Sequence, residues 1–198
     1  DPGALGVELQ PAVSDAHQRV LFVPHRANLL EQAVKFPLDD IASAAGLELL
    51  SPARDSRDVL AQISGASLVV TESLHGAIVA DAYRIPWVAV KFGPLFTPYK
   101  WHDWGQSLDM EIDFVDLLPG LNFAAKIERK AARRFGWQPQ YLDWRLHFDR
   151  FGGIMCATII KRLRAATRAK PHLSADDVLD HRKAGFYNAI ARFNKDFG

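Results

Sequence analysis

Four short apolar runs, each followed by a stretch of helical period, dominate residues 20–90 and restrict the fold more than any other feature of the chain. Val20-Leu21-Phe22-Val23 ends at Pro24, which removes a ladder donor, and Leu47-Glu48-Leu49-Leu50, Leu68-Val69-Val70-Thr71 and Pro86-Trp87-Val88-Ala89-Val90 follow. Between them, Leu38, Ile41, Ala42 and Ala45 keep helical spacing up to a stop at Gly46. Val59, Leu60 and Ile63 do so behind a cap at Asp55 or Ser56, and Gly76 to Arg84 form a third helix. Strand and helix alternating with short connections predict a parallel, doubly wound α/β sheet with helices on its flanks.

Ligands of such sheets bind beyond the carboxyl ends of the strands. The residues delivered to that edge are His25-Arg26, Ser51, Glu72 to His75 and Lys91-Phe92. At Thr71-Glu72-Ser73-Leu74-His75-Gly76 a strand passes into a helix, whose first amides are unpaired and whose dipole attracts an anion. His75 there suits a general acid toward a phosphate or carboxylate ligand, since an imidazole can carry and give up a proton near neutral pH. The same pattern fits a plainer arrangement in which Ser73 caps the helix and His75 bonds a nearby carbonyl.

Other residues are equally double-edged. Arg26 offers a planar fork to an anion or is a solvated loop residue. Glu72 takes a proton from a sugar hydroxyl, or pairs with Arg26 or Lys91. Residues 91–110 are long for a connection and carry Lys100-Trp101-His102-Asp103-Trp104, whose indoles suit sugar faces or pin a loop to the core.

Residues 1–17 read as a linker or the end of a preceding segment, 18–121 as the sheet domain and 122–198 as a basic helical appendage. Within the appendage Phe123, Ile127, Ala131 and Phe135 oppose Lys126, Arg129, Lys130, Arg133 and Arg134. A last helix is expected to start at Ser174 in the Ser-x-x-Asp manner with Asp177. The basic run from Lys126 to Lys170 is a solvated face or a surface for an anionic bilayer.

Composition narrows the classes. A net charge of +1 gives nucleic-acid binding no support, and the single Cys156 argues for a reducing, cytoplasmic setting and against cysteine-bound metal. No apolar segment approaches the span of a bilayer, and a start at Asp1 without Met suggests a piece of something longer.

Glu72-Ser73-Leu74-His75-Gly76-Ala77-Ile78-Val79-Ala80-Asp81, Arg84-Ile85-Pro86-Trp87-Val88-Ala89 and Lys100-Trp101-His102-Asp103-Trp104 with Ser107-Leu108, together with Pro24-His25-Arg26, resemble the polysaccharide pyruvyltransferases. Among these the similarity is to the succinoglycan-type ketal pyruvyltransferases of exopolysaccharide synthesis. The resemblance covers about residues 18 to 112 and implies one Rossmann-like half, the carboxyl-terminal one, of a GT-B-like two-domain fold. It also implies transfer of the pyruvyl group of phosphoenolpyruvate to two sugar hydroxyls of a lipid-linked oligosaccharide or polysaccharide, giving a cyclic ketal and phosphate. No metal, redox cofactor or nucleotide enters that reaction. Such an enzyme is expected in the cytoplasm, at the inner face of the membrane.

The resemblance gives His75 the part of general acid, with Glu72 as a second catalytic candidate. His25, Arg26, Ser73, Gly76, Lys100, Trp101, His102, Asp103 and Trp104 are the substrate-binding candidates. Many relatives carry arginine where this chain has Ser73, so His25, Arg26 or Lys100 is expected to supply the positive charge. Two other functions fit the same architecture: a GT-B-type glycosyltransferase with a nucleotide-sugar donor, and a noncatalytic docking module of a polysaccharide assembly complex.

Overall fold

A computed structural model describes residues 18–26, 36–92, 96–119 and 144–197, with isolated positions between the last two stretches. The predicted linker 1–17 and the periodicity of Phe123, Ile127, Ala131 and Phe135 lie outside the described residues. The elements are β1 (Val20–Val23), α1 (Leu38–Ala45), β2 (Glu48–Leu49), α2 (Ser56–Ser64), β3 (Leu68–Thr71) and α3 (Leu74–Ala82). They continue with β4 (Trp87–Lys91), α4 (Pro98–Ser107), β5 (Phe114–Asp116), α5 (Trp144–Ala166) and α6 (Asp176–Phe197).

All strand pairs are parallel, in the order β2-β1-β3-β4-β5, with Phe22 opposite Val70 and Val70 opposite Val88. Because strand side chains alternate between faces, each apolar run feeds two cores. Leu21, Val23, Val69, Trp87 and Ala89 pack with Ile63 of α2, Ala77 and Ala80 of α3, and Trp101 of α4. Phe22, Val70, Val88 and Val90 pack with Leu38, Ile41 and Ala42 of α1 and with Met155, Ile159 and Leu163 of α5. The helical region that the sequence sets apart after residue 121 thus returns, in the second half of α5, to cover one face of the sheet.

Local signals account for several boundaries. Gly46 closes α1 in the left-handed region at φ 82°, and the Asp55 carboxylate caps α2 by accepting from the Arg57 amide at 3.0 Å. Residues 91–110 are not one long connection. Pro98 sits at the first turn of α4, and Trp101, Trp104 and Leu108 follow helical spacing along its inner side.

Ser174 does not cap the last helix as its Ser-x-x-Asp pattern predicts. Its amide donates to Asp81 Oδ1 at 2.9 Å and its hydroxyl to Asp81 Oδ2, so the side chain is spent on a partner in α3 and the helix begins at Asp176. Asp81 also accepts from the Trp87 indole at 3.1 Å. Arg84, at φ 60°, donates to the Ser174 carbonyl and pairs with Asp176 at 2.7 Å. His172 and Trp87 exchange backbone hydrogen bonds of 3.1 and 2.7 Å, which joins the chain leading into α6 to the amino end of β4.

Candidate functional site

The strand order reverses direction between β1 and β3: the chain leaves β1 toward β2, then returns across β1 to build outward from β3. That is the topological switch point, where the connections part and leave a crevice beyond the strand ends. Pro24-His25-Arg26 and Glu72-Ser73-Leu74-His75 are the segments that leave β1 and β3 there.

Glu72 is 3% exposed and links three strands. Its amide donates to the Val23 carbonyl at 2.9 Å, while its carboxylate accepts from the amides of His25 at 3.1 Å and Phe92 at 3.2 Å. Both oxygens therefore hold the backbone that follows β1 and β4, a strong use of a buried carboxylate because both partners are fixed amides. Lys91, which with Arg26 was one of two alternative partners for Glu72, pairs with Asp116 of β5 at 3.1 Å.

Thr71, which the sequence reading passed over, shapes the turn. Its hydroxyl lies 3.1 Å from the Val23 carbonyl and 2.9 Å from the Ser73 carbonyl, and it accepts from the Ser73 amide at 2.9 Å. Ser73 then caps α3, accepting from the Gly76 amide at 3.4 Å. Gly76 is buried, and a Cβ there would stand 2.8 Å from Thr71 Oγ1 and 3.3 Å from Val23 Cγ1. The close approach that requires glycine is thus between helix and sheet. A threonine closing a strand two residues before a helix cap is the sequence signal for this arrangement.

His75 occupies the second position of α3 and is exposed, as are His25 and Arg26 at the end of β1. The tight helix–sheet contact sets the amino-terminal turn of α3, the positive end of its dipole, against Val23 at the end of β1, which His25 and Arg26 follow. On α4 the predicted aromatic group divides. Trp101 is 3% exposed, with its ring centroid 6.1 Å from that of Trp87 and 5.7 Å from that of Phe114. Trp104 is half-buried at 5.4 Å from Trp87. Lys100, His102 and Asp103 are exposed, the His102 ring meeting Phe114 edge-on at 5.6 Å. The indoles belong to the core, and α4 presents its polar members to solvent. Among the described residues, no three His, Cys, Asp or Glu side chains converge to hold a metal ion.

The polysaccharide pyruvyl transferase family model matches residues 5–92. This match runs from ahead of β1 to just past β4 and so contains every element that builds the switch point. The succinoglycan biosynthesis protein ExoV of Rhizobium meliloti (strain 1021) is 29% identical over 202 residues, which cover 89% of this chain. The chain spans 61% of that relative's length. No solved structure matches the chain significantly.

Proposed function

We propose that the chain contributes one wall of a polysaccharide pyruvyltransferase site, in which phosphoenolpyruvate lies at the start of α3 and a sugar acceptor approaches from across the crevice. The observation that carries this reading is the coincidence of the family match, residues 5–92, with the β1/β3 switch point and the His75 turn. The name of the relative, a succinoglycan biosynthesis protein, supports a saccharide acceptor.

In this reading the phosphate faces the positive amino end of the α3 dipole, with His25 and Arg26 as nearby cationic or donor groups in place of the arginine that Ser73 lacks. His75 donates a proton to the vinyl methylene, and the substituted carbon becomes oxocarbenium-like. One sugar hydroxyl bonds to that carbon, phosphate leaves with the electron pair of its C–O bond, and the second hydroxyl closes the ketal. Of the two hydroxyl protons released, one restores His75 and the other leaves with phosphate. Glu72 positions the backbone after β1 and β4, and Thr71 and Gly76 set the height of α3 above the sheet. Trp101 and Trp104 hold α4 in place, leaving Lys100, His102 and Asp103 as its acceptor-facing candidates.

His75→Gln in the enzyme tests the assignment. Phosphate release with acceptor is expected to fall about 10²–10⁴-fold, while phosphoenolpyruvate still raises the melting temperature. Undiminished turnover removes His75 from the chemistry. Protection by a nucleotide-sugar but not by phosphoenolpyruvate rejects the donor, and with it the reaction class.

A further inference from the structure

From Phe151 to Ala175 the chain carries no Asp or Glu, yet it contains Lys161, Arg162, Arg164, Arg168 and Lys170, all exposed. Helix α5 sorts this stretch by face. Met155, Ile159, Leu163 and Ala166 are buried against the sheet. At about 100° per residue, Ile154, Ala157, Lys161, Arg164 and Arg168 line the opposite side and run on into the turn after the helix. Toward its amino end the stripe is apolar, with Ile154 67% exposed on it and Phe151 47% exposed on its flank.

Asp149 precedes this stretch in α5, and no Asp or Glu lies within it. Asp39 and Asp40 lie in the first turn of α1, and Arg164 of α5 donates to the Ala44 carbonyl in its last turn. Asp176 follows the stretch, but it pairs with Arg84. A solvated helix face usually mixes both signs of charge. One sign over so long a stretch, ending in two exposed large apolar side chains, suits a surface that is anionic outside and apolar just beneath.

We propose that the exposed surface of α5 and of the turn after it is a docking surface for an anionic lipid bilayer, with Lys161 and Arg168 on the outward stripe, Arg162 on its flank and Lys170 in the turn at the headgroups, and Ile154, with Phe151 beside it, in the interface below them. The helix lies on the bilayer and does not span it, since among the described residues no helix is long and apolar enough to cross a membrane. A nucleic acid would satisfy the charges and leave the apolar end without a role. The proposal rests on α5 and the turn after it and stands whether or not His75 is the acid.

Co-sedimentation of the full chain with vesicles tests it. Binding is expected to vesicles of phosphatidylglycerol mixed with phosphatidylcholine, to weaken as salt rises, and to be absent with phosphatidylcholine alone. The triple variant Lys161→Gln, Arg162→Gln, Arg168→Gln should bind about 100-fold more weakly, at roughly a fivefold loss per cation. Ile154→Ser should weaken binding while leaving its salt dependence unchanged. All four positions are exposed, so the urea midpoints should match that of the unmodified chain. Equal binding to neutral and anionic vesicles overturns the proposal, as does full binding by the triple variant. Salt-sensitive binding to duplex DNA with none to vesicles also overturns it.

Discussion

Gly76→Ala should destabilise the chain, although the same change inside a helix normally gains up to about 1 kcal/mol. The backbone is not the obstacle, because Gly76 is helical; the obstacle is the 2.8 Å between a new Cβ and Thr71 Oγ1, with Val23 Cγ1 at 3.3 Å on the other side. Thr71 cannot swing away freely, since its hydroxyl is tied to the Val23 carbonyl and to the carbonyl and amide of Ser73. Overpacking of this kind costs about 1–3 kcal/mol, and each hydrogen bond broken in the adjustment adds about 1 kcal/mol. Set against the helical gain, the net loss should be about 2 kcal/mol, or about 1 M in urea midpoint at an m-value of roughly 2 kcal/mol/M. Thr71→Ala should cost less in the Gly76→Ala background than on its own, because it removes the clashing atom, and a double-mutant cycle measures that coupling. On the proposed function, the KM for phosphoenolpyruvate should also rise as α3 lifts from the switch point. A Gly76→Ala chain as stable as the unmodified one, or a cycle without coupling, refutes the steric account.

Two further outcomes follow from buried polar groups. Asp81→Leu strands the Trp87 indole and the Ser174 amide, at about 1–3 kcal/mol each, and should lower the urea midpoint well beyond Asp81→Asn, which keeps one acceptor; equal losses would show that the carboxylate's bonds do not matter. Burial raises the Tyr83 hydroxyl above its ordinary 10.0, so the folded state holds that proton longer than the unfolded one. The associated stability is intact below about pH 10 and lost as pH climbs through the raised value. Tyr83→Phe should flatten the alkaline fall in melting temperature, and an unchanged slope would assign the fall elsewhere.

Strands buried on both faces announce themselves as unbroken apolar runs, which is why β1, β3 and β4 are legible in the sequence. Strand β5 is not. Its Phe114-Val115-Asp116 is three residues long and half-buried at the sheet edge, too short for a period. In α4 a helical spacing of Trp101, Trp104 and Leu108 was present, but the aromatics read as a ligand surface hid it. Ser174 shows a different limit: its pattern is that of a cap, and its actual partner lies 93 residues away, a pairing no local window contains. At the switch point, the position of His75 follows from the strand-to-helix transition alone. Gly76 was legible only as a binding candidate, and the reason for a glycine there was not, because Thr71 and Val23 meet it only once the sheet has formed.

The clasp at Asp81 also imposes an order of events on folding. Trp87 and Asp81 sit in the heart of the sheet domain, yet the amide and hydroxyl of Ser174, and the backbone of His172, reach them only after some ninety more residues have been made. Until then a carboxylate destined for burial has to stay wet, and the amino end of β4 lacks its His172 partner. The sheet can collapse early, but its lock closes late. A nascent chain paused before His172 should therefore remain open to proteases around Asp81 and become protected in a single step once Ser174 emerges.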